Sequence, residues 1–342
     1  MSTRDAVAVS TSTLSSPDMK YERGTQVKNF ALIGAAGYIA PRHMRAIAET
    51  KNNLVAALDK TDSVGILDSY FPNAEFFVEF ERFDRYVEKL RRLGEEQRVH
   101  CVSIASPNYL HDAHARFALR VGADAICEKP LVLNPWNLDA LQEMERETGR
   151  RIWPILQLRL HPVIKKLKNE VDAITKEKKA DIEVTYITSR GHWYHVSWKG
   201  DISKSGGLAT NIGVHFFDML LWLFGKPKWN VVHLAQPAKT AGCLELERAT
   251  VKWFLSVDKA DLPREAAESG KTTYRAVMVN GKELEFSEGF TDLHTLSYEA
   301  ILKGEGFCLE DTRPSIEAVF EIRNAKEVSP KGDYHPFLRS KT

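Results

Sequence analysis

A lysine leaving a buried strand and a histidine on an apolar helix are the side chains here best suited to chemistry. Lys129 follows the apolar run Ala123–Cys127 in the motif Glu128-Lys129-Pro130. An ammonium at a strand end can hold an alcohol oxygen and stabilise the charge that builds as the alcohol becomes a carbonyl. Pro130 fixes the backbone just after it. His215 lies in Gly206-Gly207-Leu208-Ala209-Thr210-Asn211-Ile212-Gly213-Val214-His215-Phe216-Phe217-Asp218. From Ala209 onward this reads as a helix, so Asn211 and His215, four residues apart, share a face. An imidazole titrates in the range needed to take a proton from a hydroxyl at neutral pH. A histidine among apolar neighbours is also a common hydrogen-bonded core residue. Asp218, three residues on, can orient that ring or cap a neighbouring element.

A second signature lies upstream. The apolar run Phe30–Ile33 ends in the turn Gly34-Ala35-Ala36-Gly37-Tyr38-Ile39-Ala40, and a helical pattern follows through His43, Met44, Ile47 and Ala48. Pro41 is compatible with a first helical turn. Glycines let the backbone approach a pyrophosphate, and the free N–H groups of a helix N-terminus receive it. The turn, with Gly34, Ala36, Gly37, Tyr38 and Ile39 as its contacts, is one residue longer than the usual G-x-G-x-x-G/A. About one helix later, Asn53–Leu58 reads as a second buried strand ending in Asp59, where a carboxylate meets the adenosine ribose. A carboxylate there repels a 2′-phosphate and no arginine follows closely, although Lys60 does. The pattern selects NAD over NADP.

Ligands of open parallel sheets bind at the carboxyl ends of strands. Three polar clusters fall there: Ser106-Pro107-Asn108 with His111 opening the next helix, Glu128-Lys129-Pro130, and Gln157-Leu158-Arg159. Ser106, Asn108, His111, Glu128, Lys129 and Gln157 are the cofactor-side candidates; polar strand ends are also ordinary turn formers. The segment Arg190–Asp201 mixes aromatics, cations and glycines. It suits an interface, a surface loop, or a substrate wall in which rings face a sugar or base and Arg190 or Lys199 attracts an anion. The histidines are scattered without acidic partners at ligand spacing, so no metal site is expected.

These groups need a scaffold, and 342 residues suffice for two domains. Strands and helices alternate from Lys28 to Arg150, implying a doubly wound parallel sheet. Strand expectations are Ala74–Phe77, Val99–Ala105, Ala123–Cys127 and Ile152–Leu158, the last at an edge because of Pro154. Helices are expected over Phe80–Gly94, His111–Val121 and Leu138–Thr148, the last closed by Gly149. Near His161 the pattern changes. A helix over His161–Val171 leads into strand candidates Asp181–Arg190, Trp229–Leu234, Arg248–Val257, Tyr274–Asn280 and Glu283–Phe286, the last two flanking Gly281 as a hairpin. That order describes an open, mostly antiparallel sheet, one face packed on helices and the other free for subunit contact. The expected division is a disordered tail over 1–27, a dinucleotide-binding Rossmann domain over 28–150, a substrate-binding and oligomerisation domain over 151–330 and a C-terminal tail over 331–342.

Composition narrows the setting. Lys plus Arg number 47 against 46 Asp plus Glu, a balance unlike that of a nucleic-acid-binding protein. No apolar run reaches membrane-spanning length; Phe216–Phe224 is too short and carries Asp218. Met1–Gln26 is rich in Ser and Thr and lacks the apolar core of a secretory signal. Cys101, Cys127, Cys243 and Cys308 show no disulfide or zinc spacing. A reducing cytoplasm is the expected compartment.

Together, the Gly34–His43 turn, Ser106-Pro107-Asn108, Glu128-Lys129-Pro130 and the Gly206–Asp218 segment resemble the glucose–fructose oxidoreductase / inositol dehydrogenase (Gfo/Idh/MocA) family, over about Lys28 to Asn324. The family pairs a Rossmann domain with an α/β domain built on an open sheet, and commonly forms dimers or tetramers. Gly34–Met44, Gln157–Arg159, Ser197–Asp201 and Thr210–His215 further resemble the WlbA/WbpB group within it. That group oxidises C3 of UDP-N-acetylglucosaminuronic acid with NAD. The 3-keto product goes to a partner aminotransferase for O-antigen or related glycans. Asn211 stands where the wider family usually has Asp, which fits the narrower group.

The resemblance implies Lys129 and His215 as the catalytic pair, and a homotetramer. It implies Arg159, Tyr194, Lys199, Thr210, Asn211 and His215 on the substrate, with Asn211 orienting the sugar. It also permits a second route, in which NAD stays bound and 2-oxoglutarate recycles it. Two other readings stand beside this one. The substrate is another sugar or cyclitol, or the protein is a non-catalytic NAD-dependent sensor. Sensors of this family typically lose the lysine or the histidine, and both are present here.

Overall fold

The computed structural model of the protein describes residues 27–173, 179–285 and 292–339. Apart from Val27, the expected N-terminal tail lies outside them. The first sheet contains β1 (Asn29–Ile33), β2 (Asn53–Leu58), β3 (Glu75–Phe77), β4 (Cys101–Ile104), β5 (Asp124–Cys127) and β6 (Ile152–Pro154). It runs β3-β2-β1-β4-β5-β6, with every pairing parallel. This is the doubly wound Rossmann order, whose switch point lies between β1 and β4. Each residue of β1 and β4 is buried, as strands covered on both faces must be. The helices α1 (Ala40–Glu49), α2 (Ile66–Tyr70), α3 (Phe80–Arg92), α4 (His111–Arg120) and α5 (Pro135–Thr148) supply the crossovers. Gly149 closes α5 in the left-handed region, φ +65°. β6 stops at Pro154 rather than Leu158. Proline ends the ladder at this edge, and Gln157–Leu160 turns as a short 3-10 helix instead.

α6 (Pro162–Ala173) leads to the second sheet, built from β7 (Ala180–Thr188), β8 (Pro227–Ala235), β9 (Lys239–Leu246), β10 (Ala249–Ser256), β11 (Thr273–Val279) and β12 (Lys282–Glu283). Its order is β12-β11-β7-β10-β9-β8; β7 and β10 pair parallel and the other neighbours antiparallel. The expected hairpin at Gly281 is present, and Phe286 lies outside the described residues. Sequence reasoning missed β9. Gly242 interrupts it, and that glycine is required because Trp253 of the paired strand lies over it: a Cβ there would sit 2.7 Å from the indole.

After β7 come α7 (His192–Val196), α8 (Ile202–Ser205) and α9 (Val214–Phe224). The stretch Ile202–Phe224 is long and apolar enough to cross a membrane by length and composition. The apolar run Phe216–Phe224 is only the last part of it, and the turns from Ile202 onward supply the rest of the length. Here the stretch is core: its apolar window is 78% buried, against β7, β10 and α6. Beyond β10 come α10 (Arg264–Glu268), α11 (Leu293–Leu302), α12 (Leu309–Asn324) and α13 (Pro336–Arg339).

Packing divides the chain differently from sequence order. Tyr298 and Ile301 of α11 join Phe30, Met44 and Trp153 in one core, while Leu309 and Ile316 of α12 join Ala31, Val102 and Leu138 in another. Residues placed by position in the 151–330 unit thus complete the first sheet. The C-terminal segment lies on the outer face of the second sheet, where His335 stacks on Phe254 at 5.6 Å and Asp333 pairs with Lys252 at 2.9 Å.

Candidate active site

The dinucleotide turn is fixed by close approach. Gly34 has φ +93°, and a Cβ on it would lie 2.6 Å from the Ala105 carbonyl and 2.7 Å from Ser106 N. Only glycine lets the ends of β1 and β4 meet so closely. No side chain caps the first turn of α1; Pro41 carries no N–H, and Ala40 N and Arg42 N donate to Gly37 O and Ile39 O at 3.1 and 3.0 Å, so the turn residues Tyr38 and Ile39 just before the helix offer their N–H groups to an anion. Asp59 accepts from Ala36 N at 3.0 Å and from Thr61 N at 3.0 Å. These bonds hold the carboxylate beside the turn and leave lone pairs for a ribose hydroxyl. Gly37 closes the turn onto Gly34, and Tyr38 projects outward, 92% exposed. A glycine cradle leading into a helix N-terminus and a placed carboxylate fit NAD.

The remaining cofactor-side candidates gather at the strand ends, several already engaged. Ser106 Oγ lies 2.8 Å from His114 Nδ1. His111 bridges the Pro130 and Ser106 carbonyls, 2.7 Å from each, and so ties the turn after β4 to the turn after β5. Asn108 donates to Ser205 O at 3.0 Å and to Asn211 Oδ1 at 3.3 Å, joining the cofactor side to the substrate side. The Gln157 carbonyl oxygen is buried without a partner among the described residues.

Lys129 and His215 line one small cleft together with Leu156, Leu158, Asp218 and Thr312. Burial pushes the His215 pKa well below the usual imidazole value, with Lys129 adding to the effect, so the ring is a neutral base. Burial also lowers Lys129, and the Glu128 carboxylate opposes that shift. His215 follows a π-helical turn, Ala209–Gly213, where an ordinary α-helix was expected. The wider turn sits where Gly213 has no room for a side chain: a Cβ would meet Leu255 at 2.6 Å and Phe217 at 2.9 Å. Asn211, on this turn, donates to Tyr194 Oη at 2.9 Å. Thr210 Oγ1 is buried without a partner among the described residues, and Gly206 (φ +79°) leaves the room its side chain occupies.

Other cations lie near Lys129. Lys199 lies over the Trp198 ring at 4.4 Å and the Trp193 ring at 5.4 Å. Its pKa is lowered by burial and then by Arg190 and Lys129, and Arg275 adds to the positive field at His215. Arg159 is placed differently from a free substrate cation. Its guanidinium is 5% exposed, grips Asp218 at 2.8 and 3.0 Å, and bonds Asp311 as well. It braces α9 one turn beyond His215.

Sequence reasoning missed the residues around Glu128. His43, read only as one face of a helix, and His294 place Nε2 atoms 3.3 and 2.8 Å from Glu128 Oε1. The sequence offers no metal spacing, yet His43, Glu128 and His294 bring ligand-type atoms within 4.8 Å of one another. Their separation along the chain hid the cluster.

A Rossmann sheet with an NAD-type turn, and a lysine–histidine pair at its carboxyl edge, define a dinucleotide-dependent oxidoreductase. The chain belongs to the Gfo/Idh/MocA oxidoreductase family: residues 28–155 match the model of its NAD-binding Rossmann fold and residues 178–260 that of its C-terminal alpha/beta domain. It is 50% identical to the WlbA (WbpB) dehydrogenase from Thermus thermophilus, over 91% of this chain and 100% of that one. The TM-score is 0.87 for that protein's complex with NAD and alpha-ketoglutarate and 0.86 for its complex with NAD and UDP-GlcNAcA. A curated relative, the glucose-6-phosphate 3-dehydrogenase of Bacillus subtilis, is 25% identical over 207 residues, 58% of this chain and 54% of the relative. The chain spans 36–61% of the length of the curated relatives it matches.

Proposed function

We propose that the protein oxidises the C3 hydroxyl of UDP-N-acetylglucosaminuronic acid to the 3-keto sugar, with NAD as the acceptor. The likeness that carries this reading is the 50% identity to a dehydrogenase whose structure holds NAD and UDP-GlcNAcA. The site's chemistry supports it, since Lys129 and Arg275 act on a neutral imidazole while Lys199 and Arg190 add charge beside Lys129, which suits a substrate with a uronate and a diphosphate.

The Gly34–Ile39 turn, the α1 N-terminus and Asp59 hold the dinucleotide. NAD held there would supply the two-electron acceptor for the hydride leaving C3. His215 Nε2 or Nδ1 accepts the O3 proton as the C–O bond becomes a carbonyl. Lys129 donates to the same oxygen and stabilises its developing charge. Asn211, anchored by Tyr194 and Asn108, orients the sugar ring. Lys199 and Arg190 attract its anionic groups, and Arg159 acts through Asp218. A second substrate, 2-oxoglutarate, would take the hydride and a proton at its keto carbon and oxygen and leave as the 2-hydroxy acid; the relative's complex with NAD and alpha-ketoglutarate favours this route. The product passes to an aminotransferase for a surface glycan, in the cytoplasm, from a homotetramer.

The test is NADH absorbance and product analysis with UDP-GlcNAcA, with and without 2-oxoglutarate. Steady NADH establishes a freely exchanging dehydrogenase. Product without free NADH, only with 2-oxoglutarate, establishes recycling. No product in either arm, with NAD still bound, overturns the reading in favour of another sugar or a sensor.

A further inference from the structure

Beneath the cleft runs a polar chain that the Lys129–His215 chemistry does not use. Ser103 lies in β4, His43 in α1, and His294 and Tyr298 one turn apart on α11; each is at most 1% exposed. Ser103 Oγ is 2.6 Å from Tyr298 Oη, which is 2.7 Å from His43 Nδ1. His43 Nε2 and His294 Nε2 both reach Glu128 Oε1. Glu128 Oε2 accepts the Lys129 backbone N–H at 3.2 Å.

Burial lowers the His43 pKa, so its ring is neutral. With Nε2–H donated to Glu128, its Nδ1 accepts from the Tyr298 hydroxyl, which in turn accepts from Ser103. Every donor points toward one carboxylate. Burial alone would raise Glu128, but the imidazoles of His294 and His43 hold it well below the usual range, as an anion. Both Nε2 atoms sit at hydrogen-bond distance from the same oxygen, and Tyr298 holds the other nitrogen of His43. Hydrogen bonding therefore accounts for the cluster without a metal.

We propose that His294 and Tyr298 are positioning residues for Lys129: from the far end of the chain they complete the hydrogen-bonded cradle of Glu128, whose carboxylate fixes the Lys129 backbone. The proposal rests on Lys129 acting at the substrate oxygen. The groups facing Lys129 are Glu128 beside it, His111 from α4, His215 and Asp218 from α9, and Lys199 from the α7–α8 loop. Asp218 is paired with Arg159, so Glu128 is the carboxylate that opposes the loss of charge at Lys129. Removing the His294 donor raises Glu128 toward its neutral acid and withdraws that support.

The experiment uses full-length, NAD-loaded protein carrying His294→Leu, Tyr298→Phe or the conservative His294→Gln. One readout needs no substrate: the pH dependence of Lys129 acetylation by acetic anhydride, followed by peptide mass spectrometry. The other is kcat and KM with UDP-GlcNAcA. In His294→Leu the labelling midpoint moves down by about one pH unit. Its kcat falls roughly tenfold while NAD affinity holds. His294→Gln restores both, and Tyr298→Phe moves both in the same direction by less. If His294→Leu does not fold, Tyr298→Phe decides on the same readouts. Unmoved midpoints with wild-type kcat overturn the proposal. So does stoichiometric zinc that departs with His294→Leu. A wild-type protein inactive on every sugar sinks the catalytic role of Lys129 alone, because the labelling shift is read without substrate.

Discussion

Replacing Asp218 with alanine separates a structural Arg159 from a substrate-binding one. Both side chains are buried, and Arg159 meets the Asp218 carboxylate through Nε at 3.0 Å and Nη2 at 2.8 Å. Burial raises the Asp218 pKa, and the guanidinium draws it back. Without that carboxylate Arg159 keeps Asp311, whose side chain is 37% exposed, and its place over the Phe307 ring at 5.2 Å. Breaking one side of a buried pair costs about 3–5 kcal/mol, and the remaining partner argues for the lower end. At about 2–4 °C per kcal/mol for a cooperative unit of 150–250 residues, Tm falls by about 6–12 °C. The double variant Arg159→Met/Asp218→Leu removes both charges, so it loses less than the two single changes added together. The assay is thermal unfolding by circular dichroism across the double-mutant cycle, with KM for the sugar nucleotide measured in parallel. An Asp218→Ala protein melting within about 2 °C of wild type, with Arg159→Met raising KM alone, would refute the bracing role.

Two further outcomes follow from the geometry. Gly34→Ala pushes a Cβ against the Ala105 carbonyl at a φ of +93°, so NAD binding, followed by protein fluorescence, weakens at least about tenfold; an unchanged Kd would mean the strand ends part freely. His335 accepts from Phe337 N at 3.2 Å and lies 3.0 Å from Thr185 Oγ1, and burial pushes it down to about 4. The unfolded chain binds that proton near pH 6.5 and the folded one near 4. The stability present above pH 6.5 is therefore lost as pH falls through that window, by about 3 kcal/mol at 1.4 kcal/mol per unit. His335→Asn, weaker at neutral pH, shows a flatter urea-midpoint profile between pH 6.5 and 4; parallel profiles would refute the assignment.

The first sheet was legible because strands covered on both faces must be continuously apolar, as Phe30–Ile33 and Cys101–Ile104 are. β9 was not, because Gly242 answers to Trp253 of another strand. The π turn before His215 was hidden for a related reason: hydrogen-bond register leaves no mark in residue type. Lys129 and His215 could be picked out locally, since each is an ionisable group in an apolar setting. Arg159 looked like a free cation because its acids lie 59 and 152 residues away. His294 reaches Glu128 across 166 residues, and no local pattern announces such a contact.

The return of α11 and α12 to the first sheet bears on how the chain is made. A ribosome releases β1 to β6 first, then the whole of the second sheet, and only afterwards the residues that finish the first core. Until Tyr298 arrives, Phe30 lacks the ring that stacks on it at 5.8 Å, and Glu128 lacks one of its two imidazole donors. The nucleotide-binding half is the first to be synthesised and among the last to be complete. A gene fragment ending near residue 156 would encode its strands without the helices that close them.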